Sequence, residues 1–298
     1  MPKQKIAYYP GCTMKTTCAA AEQTAHTVAD AVGYELDELE YWNCCGTVFQ
    51  LTDDSIMQHV GSMRNLVRAE QAGHDRLTTL CSICYNTMRR VGDLYNSDRD
   101  KRERLTAFMD DEEEYSGKVE MTHFLSLLDS EEALEKLKSA VEISFEELKV
   151  MGYYGCLLLR PEELALADRE NPQLLERIIR VTGAEPVEAP FRTECCGSYK
   201  TVDSPDFVAE RTYQILSDAA NRDADLVITA CPLCQFNLDD RQREVEEAYA
   251  AFKTLPVVYF TQFLHIALGG DPEKAGFDDH YADPSPVFER YLKSKITS

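Results

Sequence analysis

Ten of the eleven cysteines in this chain repeat one arrangement twice, and cysteine thiolates are metal ligands. With Cys18 set aside, Cys12, Cys44, Cys45, Cys81 and Cys84 read C-x31-CC-x35-C-x2-C. Cys156, Cys195, Cys196, Cys231 and Cys234 read C-x38-CC-x34-C-x2-C. Glycine follows each double cysteine, at Gly46 and Gly197. A disulfide framework fits poorly, because a chain of 298 residues needs no staples and its Met-Pro-Lys-Gln-Lys start carries no export signal. Zinc suits the Cys-x2-Cys pairs, but it closes its shell with four ligands and leaves one thiolate over in each half. A cubane iron–sulfur cluster also takes four. Five thiolates per half therefore point to a centre with more coordination sites, or to a four-ligand site with one labile position.

The double cysteine narrows the geometry. Neighbouring side chains point about 100° apart on a helix and to opposite faces on a strand, so regular structure cannot aim both sulfurs at one centre. The pair must lie on an irregular turn, where the following glycine supplies a backbone conformation that other residues resist. Such a turn can present two sulfurs to two irons of one cluster.

The elements that position these residues are themselves repeated. Tyr8-Tyr9-Pro10-Gly11-Cys12 matches Tyr153-Tyr154-Gly155-Cys156, and Leu77-Thr-Thr-Leu-Cys81 matches Leu226-Val-Ile-Thr-Ala-Cys231. Val119-Glu-Met-Thr-His-Phe-Leu125 matches Val258-Tyr-Phe-Thr-Gln-Phe-Leu264, which sets His123 opposite Gln262. Helical patterns cover 18–32 and 56–72 in the first half, and 173–182 and 207–220 in the second. Strands alternating with helices of this length predict parallel α/β units. The expected fold is two duplicated Rossmann-like α/β lobes related by a pseudo-two-fold, each with one CCG motif, spanning 1–145 and 146–298. Ligands collect beyond the carboxyl ends of such strands, where Cys12, Cys81, Cys156 and Cys231 stand. The stretch 97–118, with Asp110-Asp-Glu-Glu-Glu114, has no counterpart in the second half and reads as a solvated insertion. The tail after Gly269 reads as an irregular wrap.

Composition bounds the partners. Lys and Arg number 31 against 52 Asp and Glu, a formal net charge of −21, which argues against nucleic-acid binding and against docking on anionic lipid. No apolar run reaches the roughly 18 residues of a membrane span. The expected location is cytoplasmic. No phosphate loop, dinucleotide fingerprint or zinc-protease motif is present.

The doubled C-x31/38-CC-G-x33/34-C-x2-C pattern resembles the cysteine-rich CCG family. Its members include heterodisulfide reductase B subunits, glycolate oxidase iron–sulfur subunits, lactate-utilisation proteins and an unusual succinate dehydrogenase subunit. A stand-alone chain with two complete quintets most resembles the heterodisulfide reductase B type. That resemblance implies two non-cubane [4Fe–4S] clusters, one on Cys12, Cys44, Cys45, Cys81 and Cys84, the other on Cys156, Cys195, Cys196, Cys231 and Cys234. It implies reduction of the coenzyme M–coenzyme B heterodisulfide to its two thiols. The implied partners are a ferredoxin-like C subunit plus a flavin-bearing A subunit, with a hydrogenase or formate dehydrogenase upstream. Two one-electron centres flanking an S–S bond suit its two-electron cleavage. The rival within the family is an electron-transfer subunit of a hydroxyacid or succinate oxidoreductase, passing electrons to a quinone. A dithiol mechanism on one Cys-x2-Cys leaves the double cysteines without a role. A mixed scaffold, with zinc in the first half and a cluster in the second, is the remaining reading.

Around these ligands, Lys15, Arg160, Arg192 and Lys200 are candidate contacts for substrate anions. His123 is a candidate proton donor, since its ordinary pKa suits that work. Cys18 reads as a small buried filler. Tyr41 and Trp42, and Phe49 and Tyr199 beyond the double cysteines, are expected to shield the clusters from water.

Overall fold

The computed structural model describes residues 3–47, 55–109 and 114–296. In the first half, β1 (Gln4–Tyr8), the single turn α1 (Gly11–Met14), α2 (Ala19–Val32) and β2 (Tyr34–Glu38) come first. Next are α3 (Val60–Gln71), β3 (Arg76–Thr79), α4 (Ser82–Ser97), α5 (Arg99–Ala107), β4 (Glu120–His123), α6 (Phe124–Leu127) and α7 (Glu131–Ala140). The second half has β5 (Lys149–Tyr153), α8 (Leu174–Val181), β6 (Glu185–Pro186), α9 (Pro205–Ala220) and β7 (Leu226–Thr229). It continues with α10 (Pro232–Asp239), α11 (Gln242–Ala248), β8 (Val257–Tyr259), α12 (Phe260–Ala267) and α13 (Ser285–Ile296).

Each half builds one four-stranded sheet, ordered β2-β1-β3-β4 and β6-β5-β7-β8, and every pairing is parallel. Helices cover both faces, so the central strands are buried toward their carboxyl ends, and all four residues of β7, Leu-Val-Ile-Thr, are buried. The identical strand order makes the duplication a property of the fold. In each sheet the chain leaves the first strand toward one edge and resumes at its other side, which creates a switch point between β1 and β3 and between β5 and β7. Crevices beyond the carboxyl ends at such points are where α/β folds bind ligands.

The halves exchange helices across their junction. α12 packs on α2, where the Thr24 and Thr261 hydroxyls meet at 3.0 Å and Thr261 also donates to the Ala21 carbonyl at 2.8 Å. The corresponding pair, α6 on α8, closes the other side. This reciprocal packing gives the expected pseudo-two-fold.

Three sequence expectations are corrected. Strand register sets Thr79 opposite His123 and Thr229 opposite Tyr259, and each threonine stands two residues before a cysteine. His123 is therefore equivalent to Tyr259, not Gln262. The similar letters misled because Thr122 lies in a strand whereas Thr261 lies inside a helix. The stretch 97–118 contains α5, capped by the Asp98 carboxylate on the Lys101 N–H and pinned by fully buried Leu105. It follows α4 as α11 follows α10, so it has a counterpart; Asp110 to Glu113 lie outside the described residues. The tail is not irregular to its end, since α13 seats Phe288 against Phe145 and Phe277.

Candidate metal centres

Each half gathers its cysteines from three loops at the carboxyl edge of its sheet. The first loop carries Cys12 or Cys156. The glycine before it has positive φ (72° at Gly11, 63° at Gly155), and its bare Cα lets the last cysteine of the set approach. A Cβ there would lie 3.2 Å from the Cys84 sulfur and 3.0 Å from that of Cys234. The second loop carries the double cysteines on irregular backbone, with Gly46 and Gly197 both at φ 86°. In the third, Cys81 and Cys231 hold extended backbone as N-caps of α4 and α10, and Cys84 and Cys234 lie in the first helical turn. Helix N-termini favour negative charge, which suits thiolates.

The double-cysteine loops are tied down by tyrosines three residues before the first cysteine of each set. Tyr9 donates to the Asn43 carbonyl at 2.9 Å, and Tyr153 to the Glu194 carbonyl at 2.6 Å, each on the residue preceding the pair. Neither role was anticipated, although the matched positions of the two tyrosines were the available signal. Further anchors differ between halves. Asn65 makes two 2.8 Å bonds to the Asn43 backbone, and Ser62 donates to the Cys45 carbonyl. In the second half Arg211 holds the Cys195 carbonyl at 3.2 Å, and the Asn237 amide reaches the Cys196 sulfur at 3.4 Å.

All eleven cysteines are free thiols. The sulfurs of Cys156 and Cys195 stand 3.8 Å apart and those of Cys196 and Cys234 3.5 Å apart, while the Gly197 N–H donates to the Cys195 sulfur at 3.3 Å. Thiol donors hold one member of each double cysteine well below the ordinary range: Cys44 and Cys84 act on Cys45, and Cys156 and Cys196 on Cys195. Cys12, Cys45, Cys81 and Cys84 line one cavity of about 190 Å³, which Pro232, Leu233 and Phe236 of α10 close from the other half. The sites adjoin: Leu80 and Ala230, which precede Cys81 and Cys231, share the His123 imidazole through their carbonyls. This donor set fits a polynuclear thiophilic cofactor. In each half the sulfurs come from three separate loops, most of the ten are buried, and in the first half a sulfur-lined cavity remains between them.

The other candidate residues have different work. His123 is fully buried, and its pKa is lowered to about 4 chiefly by burial. Its Nδ1 accepts from the Leu125 N–H at 3.1 Å, so Nε2 carries the proton and donates to the carbonyls of Leu80 at 2.8 Å and Ala230 at 3.2 Å. With both nitrogens committed, it joins the two cysteine-bearing loops and is not placed to deliver a proton. Its equivalent Tyr259 donates to the same Leu80 carbonyl. Arg192 is buried, 3.0 Å from the Glu176 carboxylate and 2.6 Å from Asn171, which makes it an internal ion pair and not an anion contact. Arg160 holds the Thr193 carbonyl at 2.8 Å, Lys15 pairs with Glu22 and Glu38, and Lys200 pairs with Asp203.

Cys18 is buried, its thiol pushed up to about 12 mainly by burial, and it faces Gln235 at 3.8 Å. Trp42 packs edge-on against Tyr9, and Tyr199 lies close enough to Cys156, Cys231 and Cys195 to be held protonated by burial and their charge. Tyr41 does not shield the site, being 68% exposed; Phe49 lies outside the described residues.

Comparison with known proteins accords with this geometry. The family model for the CCG cysteine-rich domain matches residues 6–89 and 150–239. The chain is 31% identical, over 96% of its own length and 99% of the relative's, to the membrane anchor subunit of 8-methylmenaquinol:fumarate reductase from Wolinella succinogenes. It is 28% identical to the B subunit of a CoB–CoM heterodisulfide reductase from Methanosarcina acetivorans, over 93% of each chain. A hypothetical protein from Helicobacter pylori has a crystal structure that superposes with TM-score 0.72 at 11% identity, covering 95% of this chain and 53% of that one. Among the described residues, no helix is long and apolar enough to cross a membrane.

Proposed function

Because this chain belongs to the CCG cysteine-rich family, we propose that it is the redox subunit of a multi-subunit reductase of the heterodisulfide reductase B type. Each half, divided near residue 145, holds one non-cubane [4Fe–4S] cluster on its five cysteines, and the substrate is a disulfide, with the coenzyme M–coenzyme B heterodisulfide as the type case. The carrying observation is the pairing of two equivalent sulfur sites across one junction, linked through His123 between the carbonyls that precede Cys81 and Cys231. Bound clusters supply electrons singly, and two of them match the two electrons that cleave an S–S bond. The protein's own part is positional. Tyr9, Asn65, Tyr153 and Arg211 fix the double-cysteine loops, His123 and Tyr259 lock the third loops together, and α10 lines the first site from the other half. Its partners in this reading are ferredoxin-like and flavin-bearing subunits.

A second reading, exchange of electrons with a quinone, is favoured by two observations. One is the menaquinol:fumarate reductase relative. The other is that Arg192 is buried in an ion pair with Glu176, which leaves it unable to read a substrate anion.

Metal analysis of anaerobically purified protein tests the cofactor assignment. About eight iron and eight sulfide per chain are expected from two four-iron clusters, and Cys196→Ala should retain about half of each. One zinc with about four iron would sink the symmetric arrangement. Oxidation of the reduced protein by the heterodisulfide, but not by a quinone, would favour the first reading; the reverse result would favour the second.

A further inference from the structure

The two halves differ most where each Cys-x2-Cys helix meets the opposite half. Tyr85 and Asn86 follow Cys84 on α4, and they seal their side of the junction. Tyr85 donates to the Leu164 carbonyl at 2.9 Å, and Asn86 to the carbonyls of Leu157 at 2.9 Å and Arg160 at 2.8 Å. The equivalent residues after Cys234 on α10 are Gln235 and Phe236, and they leave their side open. Among the described residues the Gln235 side chain makes two long contacts, 3.8 Å to the Cys18 thiol and 3.4 Å to Gln262, and Phe236 is 40% exposed. Between them and the start of α2 lies a cavity of about 400 Å³, lined among others by Thr16, Thr17 and Cys18. The tail roofs it with Gly276, Asp279 and His280.

Three features define what this cavity accepts. It abuts the first cysteine site, because Thr17 and Phe236 also line the chamber holding Cys12, Cys45, Cys81 and Cys84. Among the described residues its lining includes Asp239, Asp240 and Asp279 and no Lys or Arg, so an anionic ligand is disfavoured. It offers an aromatic face at Phe236, whose ring Arg241 overlies at 5.3 Å, together with hydroxyl, amide and imidazole groups. The His280 side chain is 3% exposed; its Nε2 lies 3.1 Å from the Gln262 amide, and its Nδ1 stands 3.5 Å from the Asp239 carboxylate without a hydrogen bond. We propose that this cavity binds the ring of a neutral quinone or quinol beside the first cysteine site, with Phe236 against the ring and Gln235 bonding a ring oxygen. The inference rests on the quinone-linked reading and gives it a location.

The test is equilibrium dialysis of menadione against the full-length, cluster-loaded protein, with iron and sulfide measured on the same samples. One saturable site is expected, weakened about tenfold in Gln235→Leu, the loss of roughly one hydrogen bond, and weakened likewise in Phe236→Ala. Phe108→Ala, a substitution at an exposed apolar residue that does not line the cavity, should leave binding unchanged. Saturable binding that neither cavity substitution alters, with visible spectra intact, overturns the site. So does a fully loaded protein with no saturable menadione site, which would leave the cluster assignment standing. Cavity-dependent binding by protein lacking iron would instead support the site while sinking the cluster assignment.

Discussion

At the scale of single residues, the centre of the molecule depends on groups other than the cysteines themselves. His123 is neutral in the fold, its pKa lowered from 6.5 to about 4. An unfolded chain binds that proton more readily, so the stability tied to the neutral form is complete above pH 6.5 and is lost as pH falls toward 4. The loss amounts to about 3 kcal/mol from this one group. Denaturant unfolding at a series of pH values should show this decline, and His123→Gln should flatten it; an unchanged slope would deny His123 its neutral bridging role. The tyrosine tethers are separable. Tyr9→Phe should cost about 1 kcal/mol and loosen only the first double cysteine, so iron should be lost preferentially from that half. Gly197→Ala acts on the second half by backbone, because alanine resists φ 86° and its Cβ would lie 3.3 Å from Val208. Reduced cluster loading there, with the first half's spectrum kept, is the outcome to look for.

At the scale of elements, the helices that begin at Cys81 and Cys231 do two jobs. Each supplies two sulfurs from its first turn and inserts the following residues into the opposite half. The loop before the second double cysteine depends on a buried ion pair. Glu176 on α8 accepts from Tyr154 at 2.5 Å and pairs with Arg192, which lies three residues before Cys195. Removing the cation strands a buried carboxylate, so Arg192→Ala should destabilise by about 3 kcal/mol. Arg192→Met with Glu176→Gln should recover much of that loss. Calorimetric or denaturant midpoints for the three proteins check it; a double variant no better than Arg192→Ala would mean the pair is not the source of the cost.

At the scale of the whole molecule, a formal charge of −21 is spread over a fold whose halves bury their helices in each other. Like charges destabilise the compact state, and salt screens them over about 10 Å at 0.1 M. The thermal midpoint should therefore rise with sodium chloride. A midpoint that falls between low and moderate salt would show that the many surface ion pairs outweigh the repulsion. The reciprocal packing of α12 on α2 and α6 on α8 also predicts one cooperative transition for the two halves, readable as coincident unfolding by near-ultraviolet and far-ultraviolet dichroism.

Spacing alone determined the ten-cysteine duplication, the need for an irregular turn at each double cysteine, and the alternation of strand and helix. Those features rest on covalent order and local backbone preference, which a linear pattern carries. The four helices expected from periodicity correspond to α2, the 56–59 turn running into α3, α8 and α9, with ends shifted by at most a few residues. Tertiary structure decided what depends on partners distant in sequence. Pairing of β4 with β3 and β8 with β7 made His123 equivalent to Tyr259, and burial between two carbonyls 43 and 107 residues away turned a candidate acid into a tie. Arg192 became internal because Glu176 and Asn171 meet it, which no local signal announced. The cavity beside the first site exists because Gln235 and Phe236 stand where their counterparts are Tyr85 and Asn86, and because the tail returns to cover them. Side-chain chemistry is written in sequence; which groups remain free to use it is set by the neighbours that folding supplies.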